Sequence, residues 1–146
     1  MSDENMDELM DILNQQLVAV LSTSSNDISY SCLVSFVVTK GFQDVIFATK
    51  RERLKYRNMS ENPNVSLLID NRKNKPSDIT EATSVTIVGS VEDIQTKDRV
   101  RLIRHLVEKH PNLESFFEAD DTAIMRLYPE RMYVVDNFES VSVIRF

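Results

Sequence analysis

Short runs of β-branched and aliphatic residues, separated mostly by short polar turns, recur along the chain and constrain its fold more than any other feature. "LVAVLSTS" (17–24) ends in the turn cluster "SSND", and "SYSCLVSFVVT" (29–39) and "DVIFATK" (44–50) flank a short connection carrying Gly41. "NVSLLIDN" follows Asn62-Pro63, "SVTIVGSVEDIQ" starts at Ser84, and the C-terminal part holds "AIMRLYPERMYVVDNF" and "VSVIRF". Six or seven strands joined by short turns imply a mainly β chain folded as an antiparallel barrel, not a doubly wound parallel sheet. With two glycines available, Asn and Asp must serve the tight turns. Pro129 interrupts a long β segment and marks a bend or bulge.

Helices are expected at few places. Met6, Leu9, Met10 and Leu13 recur at helical spacing near the N-terminus, and acidic residues favour the start of that helix. Residues 53–61 lose β-branched character and read as a short helix closed by Asn62-Pro63. Thr96 can cap a helix with Val100, Ile103, Leu106 and Val107 on one face, stopped by Pro111. A short helical piece covers "NLESFFEAD", and residues 71–83 read as a loop. The 146 residues suit one domain, 1–146, without internal repeats.

Charge is unevenly placed. The net charge is -6, yet residues 50–75 hold eight Lys/Arg against three acidic residues, a local balance of +5. Five of these cations, Lys50, Arg51, Arg53, Lys55 and Arg57, lie within eight residues. An acidic body with one basic segment disfavours nucleic acid, which is held through many Lys/Arg–phosphate contacts, and fits a small anionic ligand better. A solvated helix face is the competing explanation for the same cations. No apolar run reaches membrane-spanning length and the N-terminus is acidic, so the chain reads as cytoplasmic, with no membrane partner. Cys32, the single cysteine, cannot form an internal disulfide.

Other chemistries find no support in the residues. Two glycines cannot build a P-loop, a dinucleotide fingerprint or a nucleophile elbow. His105 and His110 stand five apart, unlike the i, i+4 pair of a helical metal site, and no metal ligand set is expected. Glu118, Asp120 and Asp121 read as a turn or helix-cap cluster, and His110 as a helix-end residue.

The stretch "FATKRERLKYRNMSENPNVSLLID" (47–70) resembles the core motif of the pyridoxamine-5'-phosphate-oxidase-like family of FMN-binding split barrels. Phe47, Thr49, Lys55, Asn62, Pro63, Val65, Ser66 and Leu67 fall in the order of that motif. The resemblance implies a split barrel that binds FMN, a homodimer with cofactor sites at the interface, and redox action on a small molecule. It implies phosphate contact for Lys55, with Thr49 and Arg53 beside it and Lys50, Arg51 and Arg57 as further candidates. It also places Phe47 and Ser35 near the flavin, with Asn71 and Arg72 of "DNRKN", and Ser84 reaching the flavin of the opposite subunit. The Arg-initiated box of the phosphate oxidases is absent from "SCLVSFVV", and the tail "SVSVIRF" lacks their Arg-x-His. Pyridoxamine phosphate is therefore not the expected substrate. Flavin storage or sensing, or haem binding, is the alternative use of the same barrel.

Overall fold

The structure, a computed structural model, describes residues 3–146. Seven strands follow one another as β1 (Val18–Ser25), β2 (Ile28–Val38), β3 (Val45–Lys50), β4 (Asn64–Asp70), β5 (Thr83–Asp93), β6 (Thr122–Asp136) and β7 (Ser140–Arg145). The five helices are α1 (Asp3–Gln15), α2 (Leu54–Glu61), α3 (Asp78–Glu81), α4 (Asp98–Lys109) and α5 (Glu114–Glu118). All strand pairings are antiparallel, in the order β3-β2-β1-β4-β5-β6-β7, and β3 also pairs with β6. That pairing closes six strands into a barrel and leaves β7 as an added strand on the rear half of β6. The expected mainly β antiparallel barrel is thus the fold.

Turn chemistry follows the shortage of glycine. The β1–β2 hairpin turns at Asn26 and Asp27, with φ of 53° and 63°, and Asn137 and Phe138 make the β6–β7 turn at 52° and 59°. Positive φ at both central residues matches the right-handed twist of the strands, and Asn and Asp tolerate it best among residues with a side chain. Pro129 faces Gly89, whereas the next pair joins Arg131 to Val88, so Glu130 is the extra residue of a bulge. A Cβ on Gly89 would lie 2.1 Å from the backbone oxygen of Tyr128, so only glycine fits there.

Side chains alternate across the strands, as period-two geometry requires. Ala19, Leu21, Val34, Phe36, Phe47, Leu67, Ile69, Val85, Ile87, Met125 and Met132 fill the barrel, and Leu9 and Leu13 of α1 join them. A second cluster lies outside β2, β3 and β6, where Val37, Ile46, Ala48 and Ile124 meet Leu102, Leu106 and Phe117 of α4 and α5. Buried Asp44 anchors α4 there by accepting from Arg101 at 2.7 Å. His110 ends α4, and its Nε2 hydrogen-bonds to the Phe36 carbonyl at 2.8 Å, so it is a helix-end residue as expected. Within residues 71–83, read from sequence as loop, Asp78–Glu81 forms one helical turn. Among the described residues no helix is long and apolar enough to cross a membrane.

Candidate functional site

β3 brings the cationic stretch to one end of the barrel, and the chain then turns into α2. Thr49 is buried, with its hydroxyl donating to the Lys50 carbonyl at 3.4 Å. Phe47 is fully buried in the barrel core, paired across the sheet with Phe36 and Met125. Its ring therefore supports the wall behind the turn rather than the surface of a cleft.

The five clustered cations divide into two groups. Lys50 Nζ meets Asp121 at 2.7 Å, and this bond holds the Asp121 carboxyl below its ordinary value. Arg51 grips Asp93 with Nε and Nη2, each at 3.2 Å, and donates Nη1 to the Asp120 carbonyl at 2.8 Å. Tyr56 donates its hydroxyl to the same Asp93 at 2.8 Å. Burial, then the bond to Asp93, raise the Tyr56 phenol above its ordinary value. The bond to Asp93 likewise raises Arg51, the largest contribution to its shift. Asp93 therefore braces both sides of the β3–α2 turn from the end of β5. Sequence reading missed it: its place opposite Arg51, 42 residues away, comes from the strand register.

Arg53, Lys55 and Arg57 form the second group. Among the described residues, none has an ion pair or side-chain hydrogen bond. Arg53 stands in the N-cap position with extended backbone at φ -80°, which leaves the first amides of α2 open to an acceptor. Lys55 lies close to Cys32 on β2; burial pushes the Cys32 thiol up, and the Lys55 charge opposes that rise. One turn further along the same face, α2 is fixed by the buried bond from Asn58 Nδ2 to Thr23 Oγ1, at 3.0 Å. A cavity of about 390 Å³ between α2 and the β1–β2 hairpin is lined by Ile28, Tyr30, Leu54 and Arg57, among others.

The remaining candidates lie elsewhere. Asn71 uses its side-chain oxygen to accept the Thr83 amide at 2.7 Å, and Arg72 pairs with Asp70 at 3.0 Å. Ser84 is opposite Asp70 and lines a 160 Å³ cavity with Arg72, Asp78, Val135 and Phe138. Asp78 accepts the amides of Lys73 and Lys75 and so shapes the loop; the Lys73 amide contributes most to lowering its carboxyl. Cys32, near Lys55, belongs to the inner face of β2, and Ser84 to the outer face of β5, three strands across the sheet. That is a lateral distance of about 14 Å at ordinary strand spacing. One chain does not bring the two groups around a common centre.

The outer face between them has its own order. Leu33, Val20, Leu68, Thr86, Tyr133 and Val143 stand opposite one another in one row across β2, β1, β4, β5, β6 and β7. Ser35 shares this face, opposite Val18. Leu33 is 64% exposed and Val143 46% at the two ends of the row, so it is mostly apolar surface that α4 and α5 do not cover.

The family described as pyridoxamine 5'-phosphate oxidase matches residues 6–136. No curated protein matches the chain. Among solved structures, a haem binding protein from Mycobacterium smegmatis superposes with a TM-score of 0.85 at 14% identity, covering 99% of this chain and 59% of that one. This chain thus spans about three-fifths of the length of that protein. General Stress Protein 26 from Bacillus anthracis has a TM-score of 0.73 at 20% identity, with 98% and 99% of the two chains covered. The haem storage protein HutZ from Vibrio cholerae has a TM-score of 0.74 at 14% identity, over 97% and 93%. At these identities the likeness is one of fold.

Proposed function

Because the chain belongs to the pyridoxamine 5'-phosphate oxidase family, we propose that it binds FMN and serves as a flavin-dependent oxidoreductase acting on a small molecule. The observation that carries this reading is the unpaired group Arg53, Lys55 and Arg57 at the start of α2, beside helix amides without partners. A phosphate dianion suits that donor set: helix N-terminal amides point at it, the helix dipole favours negative charge, and charge-assisted bonds are the strong ones. Lys55 is the principal contact, with Arg53 beside it, while the buried Thr49 hydroxyl stays with the Lys50 carbonyl. Lys50 and Arg51 shape the turn instead, since their charges are already matched by Asp121 and Asp93.

Bound flavin supplies the electron transfer, and the protein supplies orientation, electrostatics and control of access. Ser35 and the backbone of β2 serve the ring, and no side chain near the turn is set up as a general acid or base. That suits a hydride-accepting role, with NADH and NADPH as the donors to try.

A homodimer completes the site in this reading. Asn71, Arg72 and Ser84 would approach the flavin held by the other copy, which accounts for their distance from Lys55 within one chain. The apolar row on the outer face supports a second copy as its cover. Light scattering after size exclusion is expected to give twice the chain mass, and a monomer at micromolar concentration would undo the shared site.

Haem, or flavin held without turnover, is the second reading. It is favoured by two neighbours of the same fold whose names state haem binding or storage. The same cations could receive propionates. The visible spectrum of the purified protein, after FMN or haem is added and the excess removed, separates the readings. A retained flavin band supports the first and a haem band the second; no band in either case overturns both.

A further inference from the structure

We propose that Lys109 is a nucleophilic amine, acylated by small acyl phosphates that enter the cavity beside it. It lies at the end of α4, away from the turn assigned to FMN, where α1, α4 and β2 meet. Nζ donates to the Leu13 carbonyl in the last turn of α1 at 3.0 Å and lies 3.9 Å from the centre of the Phe36 ring. Two of the three N–H directions are thus occupied, and the third has no acceptor among the described residues. Nor does any carboxylate among the described residues pair with this amine.

Burial favours an uncharged nitrogen, against the Phe36 ring face and the Leu13 carbonyl, which favour the cation. Burial without a counter-charge lowers the amine to about 8, which leaves an appreciable neutral fraction at neutral pH. Facing groups come from each element: Asn14 from α1, Val37 from the end of β2, Thr39 and Lys40 from the turn that follows, and His105 and Glu108 from α4. Together with Lys109 they line a cavity of about 380 Å³. His110, next in the chain, is engaged by the Phe36 carbonyl. Lys40 and His105 have no ion pair or side-chain hydrogen bond among the described residues, so they can hold a phosphate leaving group. Glu108 is the one carboxylate among these lining residues, and its charge opposes an anionic ligand unless Lys40 offsets it.

The chemistry balances without a redox partner. The amine nitrogen attacks the acyl carbon, an N–C bond forms, and the C–O bond to phosphate breaks with its electron pair leaving on phosphate. The displaced N–H proton passes to water. The product amide is neutral, so the cation over Phe36 is lost while one N–H is left for the Leu13 carbonyl. Acylation would thereby loosen α1 from the barrel.

The test is treatment of the folded full chain with acetyl phosphate, with each lysine followed by peptide mass spectrometry. A lower pKa raises the neutral fraction more than it reduces intrinsic nucleophilicity, so near pH 7.5 Lys109 is expected to label roughly tenfold faster than Lys73 or Lys75. Its rate should level off above about pH 8, while those of the exposed lysines keep rising. Lys40→Gln should slow labelling of Lys109 by acetyl phosphate and not by the uncharged ester p-nitrophenyl acetate. Labelling no faster than Lys73, or a rate still climbing steeply past pH 9, would overturn the nucleophile. Equal slowing with both reagents, or with neither, would overturn the phosphate-holding role of the cavity.

Discussion

Lys50 and Arg51 differ from Arg53, Lys55 and Arg57 in company rather than in charge. The first two meet Asp121 and Asp93 within 2.7 to 3.2 Å and tie the turn to β5 and to the start of β6. The other three keep their charges unmatched by any ion pair among the described residues. A run of cations in sequence is therefore two different objects in space, a brace and a set of unpaired charges. Carboxylates delivered by distant strands decide which cation becomes which.

The largest effect that would test this division is on the brace. Asp93→Asn leaves Arg51 half-buried without its counter-charge and should cost about 2 kcal/mol of stability, a fall of roughly 6 °C in melting temperature. Denaturant unfolding checks it; a change within error would mean that the brace is ornamental. Lys55→Ala should do the reverse, with roughly tenfold or more weaker FMN binding by fluorescence titration and little change in melting. If both variants lose stability and affinity together, the two groups are one.

Smaller changes sharpen the picture. Arg53→Ala and Arg57→Ala should each weaken FMN severalfold, with an effect that shrinks as salt rises, because both side chains are exposed. An effect indifferent to salt would count against their role. Asp121→Asn should leave melting unchanged, since that carboxylate lies in solvent.

The smallest signal is in the phenol of Tyr56, which burial and Asp93 hold above its ordinary value near 10. A raised phenol contributes stability that is complete below pH 10 and is lost as pH rises through 10 and beyond. Ultraviolet titration should show Tyr56 ionising late in the wild type and earlier in Asp93→Asn. Unchanged titration would remove Asp93 from its environment.

The strands were legible because β-branched runs and turn clusters alternate regularly, and α1 and α4 because their apolar residues recur at helical spacing. The turn of helix at Asp78–Glu81 was not, since Ile79 is its only large apolar residue and is exposed. In the candidate site, the motif from Phe47 to Leu67 identified the turn, and composition identified its charge. What stayed hidden was the neutralisation of Arg51, for Asp93 reaches it only through the β5–β6 register. Likewise, Asn71 looked available until Thr83 was seen to occupy it.

The extra residue Glu130 sets a reading frame for the last third of the sheet. Ahead of it β6 sends odd-numbered residues inward, Met125 and Leu127; after it, even-numbered ones, Met132 and Val134. Deleting Glu130 would remove the bulge yet leave Met132 and Val134 inward, because Arg131 would then follow Pro129 in regular alternation. The codon for Glu130 therefore governs the bend of β6 where β7 begins to pair, and not the choice of side chains on either face.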